Sequence, residues 1–343
     1  MYIGYIADLH MNLSRKDNPF FVHVKDALRD FDILCDQHDA KLVIIFGDLF
    51  DTKYQVSTAS LVIASDLIAQ LAEKRRVIIV RGNHDTASLN DIKTNLCEVF
   101  SHYPNVTVVN EYEPIDIGNT VLHCLAYFEN DKLIPMIDEM VMAENKVNLL
   151  ISHIGVDEFV WHGDPSEYVA VVDAPRLRKF DKVYLGHFHG HQRKFNIAYV
   201  SSPLQSKHGD EKGQHGFMFY DTDTQKDLFV VNESSPQFIT LEFNKDNIKK
   251  ALQLQKHYIK FIVKQHYTKE ILSTVKQKVL QNNYEVDWKF DVQSDNLQFS
   301  TIHNWEEVQV TDLDELLAGY LDHLKQLPTN TTKAELLEAL LGD

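Results

Sequence analysis

The sequence predicts an α/β (α+β) protein, a large first unit of sheets and helices followed by a small α+β unit and C-terminal helices. Three observations carry this expectation. From residue 1 to about residue 231 short apolar runs alternate with longer amphipathic ones, the order of strands and helices layered into one domain. Asn232 to Pro236 is polar, ends in proline, and the pattern resets beyond it, which places a boundary there. The 343 residues, 44% apolar and 24% charged, suffice for one large and one smaller core and fit neither a collagen-like nor a disordered class.

Taken in order, Tyr2 to Ala7, Leu42 to Phe46, Val77 to Val80, Asn148 to Ile151 and Val183 to Leu185 read as buried strands, short and nearly all apolar. Phe20 to Gln37 and Ser57 to Glu73 read as helices; Leu61, Ala64, Ile68 and Leu71 recur at spacings of three and four. Val121 to Tyr127, Tyr199 to Ser201, Gly216 to Tyr220 and Leu228 to Val231 read as further strands, the last two joined through Asp221-Thr222-Asp223, so the strands can form a sandwich of two sheets. Beyond the boundary, Tyr258 to Val263, Thr268 to Gln281 and Tyr284 to Val292 read as strand, helix and strand. Thr311 to Leu327 opens at cap spacing and stripes Leu313, Leu316, Leu317, Tyr320, Leu321 and Leu324 on one face. A short helix near Lys333 to Leu341 repeats the stripe; with seven acidic residues against two lysines from Thr311 on, this is an acidic amphipathic hairpin. Its leucines can pack on the chain itself or on a partner. The units are thus 1–235, 236–310 and 311–343.

No run approaches the ~20 apolar residues of a membrane span, and the first residues lack the layout of a signal peptide, so no membrane association and a cytoplasmic location are expected. Cys35, Cys97 and Cys124 form no CxxC pair and fit core thiols of a reducing compartment. The net charge of −16 speaks against a broad basic face for nucleic acid, although bound cations or a partner subunit can supply positive charge.

The metal-competent side chains fall immediately after apolar strands, in five clusters: Asp8-Leu9-His10, Gly47-Asp48-Leu49-Phe50-Asp51, Gly82-Asn83-His84-Asp85, Ser152-His153 and Gly186-His187-Phe188-His189. In an open α/β sheet such strand ends converge on one edge. Asp8 and His10, like His187 and His189, are two apart, which in extended backbone points both side chains to one face. Asp8, His10, Asp48, Asn83, His153, His187 and His189 supply seven candidate ligands, enough for two divalent metal ions sharing one carboxylate. Carboxylate, amide and imidazole donors without thiolate disfavour structural zinc and favour hard or borderline ions such as manganese or iron(II), magnesium included. In-line displacement at phosphorus uses such a pair of ions, about 3.5–4 Å apart. His84 is the candidate catalytic acid, with Asp85 expected to orient its ring. His191, His208 and His215 read as polar loop residues outside the site, and Trp161 and Trp288 as core or domain contacts.

The D-x-H, GD-x-x-D, GNHD, H and G-H-x-H series resembles the signature of the calcineurin-like metallophosphoesterases, whose fold is a four-layer β-sandwich flanked by helices. The resemblance implies that Asp48 bridges two metals, with Asp8, His10 and His189 on one and Asn83, His153 and His187 on the other. The IADLH opening, GDLFDT, GNHD followed by a helix, GHFH and Ser201-Ser202-Pro203-Leu204 resemble, over roughly residues 1 to 240, the SbcD-type DNA repair nucleases of bacteria and phages. Asp51 stands where archaeal and eukaryotic relatives often carry histidine, so no role for that position carries over.

This narrower resemblance implies a manganese-dependent exonuclease and endonuclease acting on DNA ends and single strands, with an SbcC-type coiled-coil ATPase as partner. It also implies a homodimer through the helices after the GDLFD and GNHD motifs, a DNA-binding capping domain at 236–310 and terminal helices docking on the ATPase. Two rivals remain open, a phosphoesterase for a small nucleotide or phosphoprotein, and a non-catalytic scaffold of the same fold.

Overall fold

A computed structural model of the protein describes residues 1–11, 20–53, 55–86, 88, 92–160, 171–264, 267 and 269–291. Contacts divide the chain into a unit spanning Met1–Ser235 and one that begins at Pro236. In the first, the elements run β1 (Tyr2–Ile6), α1 (Phe20–Gln37), β2 (Ala40–Ile45), α2 (Thr58–Lys74), β3 (Arg76–Val80), β4 (Val106–Val109), β5 (Tyr112–Asp116), β6 (Thr120–Leu125), α3 (Asn130–Glu139) and β7 (Val147–His153). They continue with β8 (Gly155–Val156), β9 (Val171–Val172), β10 (Lys182–Gly186), β11 (Gln192–Lys194), β12 (Ile197–Tyr199), β13 (Gly216–Asp221) and β14 (Lys226–Val231).

Two six-stranded sheets result, ordered β14-β13-β1-β2-β3-β4 and β11-β12-β10-β7-β6-β5. Four consecutive strands of each pair in parallel, β1 through β4 in one sheet and β6, β7, β10 and β12 in the other. Parallel strands covered on both faces have no polar side to show, hence their near-continuous apolar runs. Alternate residues of the two sheets, Tyr5, Ile44 and Ile78 from one and Leu122, Ile151 and Tyr184 from the other, share the inner core. The outward residues Leu150, Val183 and Leu185 pack with Leu133 and Ile137 of α3. On the other flank α1 and α2 contact β2 and β3, with Val24, Leu28, Phe31 and Cys35 buried at helical spacing. The order is helix, sheet, sheet, helix: four layers, the architecture expected. Ser57 caps α2, its hydroxyl accepting from Ser60 N at 3.0 Å.

Two local expectations change. The strand expected over Tyr199 to Ser201 ends at Tyr199, because Ser201 turns into the left-handed region (φ 86°). The helix expected after the GNHD motif takes, in the described chain, the form of one 3-10 segment, Leu96–Phe100, capped by Asn95; so short a run does not close successive α turns. All three cysteines are buried free thiols.

The second unit holds β15 (Phe238–Glu242), α4 (Lys245–Gln253), β16 (Tyr258–Val263), α5 (Lys269–Leu280) and β17 (Glu285–Phe290), with the three strands parallel in the order β15-β16-β17. Parallel neighbours need crossovers, and the helices supply them. The expected strand, helix, strand is therefore only its second half. The first half hid because β15 leaves Thr240 and Glu242 exposed and α4 contributes little more than Ile248, Ala251 and Leu252 to the core. Trp288 packs against that core, near Phe243 and Phe261. Trp161, the rest of the 236–310 unit beyond residue 291, and both expected C-terminal helices lie outside the described residues. Among the described residues no helix is long and apolar enough to cross a membrane.

Candidate metal centre

Each candidate donor sits where a strand stops: Asp8 and His10 after β1, Asp48 after β2, Asn83 and His84 after β3, His153 at the end of β7, His187 and His189 after β10. They come from two sheets rather than one open sheet, three clusters from the first and two from the second. The sheets are tied at this end. His153 Nδ1 donates to the Phe46 carbonyl at 2.5 Å, and His187 N–H reaches both Asp8 carboxylate oxygens at 3.0 and 3.1 Å.

Past the strand ends the backbone is not extended. Asp8 (φ 51°), His10 (φ 41°), Asp48 (φ 47°) and His187 (φ 94°) all lie in the left-handed region, which corrects the expectation that spacing by two puts each pair on one face of a strand. The chain has to turn here, and a side chain in that region costs about 1–2 kcal/mol. Strain of this kind persists only where neighbours hold it. Asp8 N donates to Gly47 O (3.2 Å), His10 N to Asp48 O (2.9 Å) and Met11 N to Leu49 O (3.0 Å).

Asp85 completes the brace. Its buried carboxylate accepts from Asp48 N at 2.8 Å, Leu49 N at 3.1 Å and Gly82 N at 2.9 Å. Burial and then the Asp48 charge push its pKa up. The expectation that Asp85 orients the His84 ring is therefore corrected: three amides take the carboxylate, and His84 Nδ1 faces the Asp51 carbonyl at 2.9 Å. The loops pack so closely that a Cβ built on Gly82 would stand 2.3 Å from Asp48 Oδ1 and 2.6 Å from Asp48 N.

The seven donors and His84 form one connected group. Ligand atoms of Asp8, His10 and His189 lie within 4.8 Å of one another, as do those of Asp48, His153 and His187, and those of His10, Asp48 and His84. Asp48 stands between: Oδ1 accepts from His84 N at 2.8 Å, while Oδ2 lies 3.1 Å from His153 Nε2 and 3.6 Å from His10 Nε2. Asn83 Oδ1 is 3.0 Å from the same His153 nitrogen. Burial opposes charge on His153, but the Asp48 carboxylate outweighs it and raises the imidazole to about 9. Asp48, against the same burial, is held well below the usual carboxylate range by His153. His187 is pushed down to about 3 by burial and then by charged His153.

The donor chemistry fits divalent metal. The Phe46 carbonyl can only accept, so His153 Nδ1 carries hydrogen, and Nε2 faces a carboxylate oxygen and an amide oxygen, both acceptors. Such a convergence of lone pairs needs a proton or a cation. His10 Nε2 and His189 Nε2 lie 3.1 Å apart, about the separation of two nitrogens on adjacent positions of one ion with bonds of about 2.1 Å. Among the described residues, no thiolate stands in these groups, in keeping with a hard or borderline ion.

Sequence reasoning missed Asp210. Its carboxylate stands 3.2 and 3.4 Å from His189 Nδ1, and the contact, against burial, raises the His189 pKa. Nothing in spacing marks it, since it lies 21 residues beyond His189 in a polar loop. Asp51, left without a role, places Oδ1 3.4 Å from His10 Nδ1 and its carbonyl on His84. His215 corrects its reading as a polar surface residue: it is buried, with Nδ1 2.9 Å from Ser202 Oγ and Nε2 3.0 Å from Asp210 O. His191 stacks on Phe229, and His208 pairs with Glu211 at 3.3 Å.

Fold and donor set together define a metallophosphoesterase hydrolase. The chain belongs to the calcineurin-like phosphoesterases, whose family model matches residues 1–191 and whose members use a dimetal centre. Exonuclease subunit 1 of Enterobacteria phage T4 is 23% identical over 194 residues, covering 56% of each chain. The SbcD subunit of the SbcCD nuclease from Staphylococcus epidermidis is 25% identical over 264 residues, 68% of each chain. The chain thus spans a little over half of the phage relative's length. Among solved structures, the E. coli phosphoesterase Yfce matches at 17% identity and a TM-score of 0.33, covering 66% of this chain and 97% of its own, a score too low to carry weight.

Proposed function

We propose that the protein is a manganese-dependent DNA nuclease, cutting duplex ends as an exonuclease and single strands as an endonuclease, in DNA repair, recombination or replication. The observation that carries the reading is the gathering of six oxygen and nitrogen donors from both sheets around a seventh, Asp48; the choice of DNA leans on the two nuclease subunits to which the chain is similar. In this reading Asp8, His10 and His189 hold one ion, Asn83, His153 and His187 the other, and Asp48 is shared. The ions would supply Lewis acidity at the scissile phosphate.

The chain's own groups do the remaining work. The left-handed turns and the Asp85 brace fix the donors before any substrate arrives. Nδ1 of His84 donates to the Asp51 carbonyl, so Nε2 is the nitrogen left to face a leaving oxygen, and it can give a proton there only from the doubly protonated ring.

The acidic net charge is less of an obstacle than it first looks. From Pro236 to Val310 ten lysines stand against nine acidic residues, a near-balance in a chain that carries −16 overall. That supports a DNA-contacting capping role for 236–310. Both relatives are named as subunits, which supports a partner; an ATPase of the SbcC type, docked by residues 311–343, is the one we infer. Leu61 and Val62 on α2 and Val99 in the 3-10 segment are 40%, 51% and 48% exposed, apolar side chains that support a homodimer through these two helices. The setting is the cytoplasm of a bacterium or of a phage-infected cell.

The test is manganese-dependent degradation of a labelled linear duplex beside a chromogenic phosphodiester, each repeated with Asp48→Ala. Shortening of the duplex by the native protein and not by the variant is the expected result. Cleavage of the small diester with DNA left intact by the protein and its ATPase partner together would replace the nuclease with a small-nucleotide phosphodiesterase.

A further inference from the structure

His189 is gripped from two sides. Its carbonyl accepts from Ser202 N at 2.9 Å and from Ser201 Oγ at 2.8 Å. Its ring nitrogen Nδ1 faces the Asp210 carboxylate, which is itself buried. That carboxylate is not free to turn: Oδ2 accepts from Ser206 N at 2.9 Å, Ser206 Oγ at 3.0 Å and Lys207 N at 3.3 Å, leaving Oδ1 aimed at the imidazole.

A second tier holds the Asp210 backbone. His215 Nε2 stands 3.0 Å from Asp210 O; the carbonyl only accepts, so Nε2 carries hydrogen and Nδ1 is the lone-pair side that the Ser202 hydroxyl faces at 2.9 Å. Ser202 therefore touches both the His189 carbonyl and, through His215, the Asp210 loop. Ser201 adopts φ 86° while fully buried, a strained conformation that persists where the surroundings over-determine it.

We propose that Asp210, locked by Ser206 and His215, is the positioning residue that holds His189 with its proton on Nδ1, so that the Nε2 lone pair faces Asp8 and His10 as a metal donor. The Ser201-Ser202 pair is the backbone half of the same clamp. This rests on the reading of the site as a dimetal centre and adds to it which residue sets the tautomer of one ligand. A carboxylate behind a ligating histidine fixes its ring and raises its basicity, and its loss costs roughly tenfold to a hundredfold in metal affinity.

Asp210→Asn is the informative change. The three donors on Oδ2 retain the amide oxygen, so the amide NH2 turns toward His189 Nδ1, makes that nitrogen the acceptor, and drives the proton onto Nε2 where the metal should bind. The shape is kept and the tautomer is reversed.

The experiment is a calorimetric titration of manganese into the metal-stripped full-length protein, its Asp210→Asn and His189→Ala variants, and a more remote variant, His215→Leu. Imidazole 15N shifts of the metal-free proteins report the tautomer. Two ions on the native protein are expected. In Asp210→Asn one site should weaken about tenfold to a hundredfold with the other unchanged, and the His189 proton should move to Nε2. His215→Leu should weaken the same site by a smaller factor. If the native protein takes up no pair of ions, the dimetal reading falls. If it takes up two and Asp210→Asn binds both equally well, the positioning role alone is overturned. Should Asp210→Asn fail to fold, unchanged affinity in a folded His215→Leu would overturn it instead.

Discussion

His84 is held by Asp51: its Nδ1 lies 2.9 Å from the Asp51 backbone carbonyl, while its own amide donates to Asp48 Oδ1 at 2.8 Å. The ring therefore borders the donors with a defined tautomer, and the group that fixes it is main chain. Removing the side chain should spare the metal and stop the chemistry. His84→Ala is expected to bind two ions as the native protein does and to lose about 10²–10⁴-fold in kcat, read by calorimetry and by turnover of a chromogenic phosphodiester at saturating manganese. Loss of one ion together with turnover would make His84 a ligand instead, as its place within 4.8 Å of His10 and Asp48 permits.

Asp85 acts at one remove. Asp85→Ala strands three buried amides, those of Asp48, Leu49 and Gly82, at about 1–3 kcal/mol for each buried donor left unpaired. A loss of about 3 kcal/mol or more in denaturant-unfolding free energy is expected, together with weaker metal binding because the Asp48 turn loses its brace. Asp85→Asn, which keeps an acceptor oxygen, should lose less. Equal stability of Asp85→Ala and the native protein would remove the brace from the account.

The donors were legible because each follows an apolar run that stops abruptly, so strand period and polar punctuation located them in the sequence. What spacing could not supply was the conformation beyond the strand ends. Asp8 and His10 look like an extended pair, and only the folded loops show left-handed turns held by the neighbouring strand's loop. Asp210 was illegible for a different reason: its acid lies in a polar loop, and its meaning comes solely from the fold that returns this loop to His189. Partly exposed β15 and the short, lysine-rich α4 lacked the apolar periodicity by which β16 and α5 declared themselves.

Two histidines set opposite pH limits on the metal-free protein. The folded pKa of His153, about 9, lies above the ordinary 6.5, so its contribution is fully present below pH 6.5 and is lost as pH rises through about 9. The folded pKa of His187, about 3, lies below 6.5, so its contribution is present above pH 6.5 and is lost as pH falls through about 3. Melting temperature in a chelator should peak near pH 6.5, and His153→Asn should flatten the alkaline fall. Saturating manganese should also remove that fall, because the bound form takes the neutral imidazole. An alkaline arm identical in native and His153→Asn proteins would show that another group carries it.

A single methyl group tests whether close packing of the loops is needed to place Asp48. On Gly82 the added carbon would lie 2.3 Å from Asp48 Oδ1 and 2.6 Å from Asp48 N, and the first of these is the oxygen that accepts from His84 N. The carboxylate cannot withdraw without breaking that bond, and the backbone nitrogen cannot move without leaving Asp85. Gly118→Ala is the matched control: its φ of 93° makes any side chain strained, yet nothing lies within 4 Å. Gly118→Ala should cost about 1–2 kcal/mol of stability and leave manganese binding and turnover untouched. Gly82→Ala should lose metal affinity and turnover together, by more than its loss of stability explains. Calorimetry and kcat at saturating manganese on the two variants decide the matter, and native-like metal binding by folded Gly82→Ala would mean that Asp48 is placed by something other than the contact between these loops.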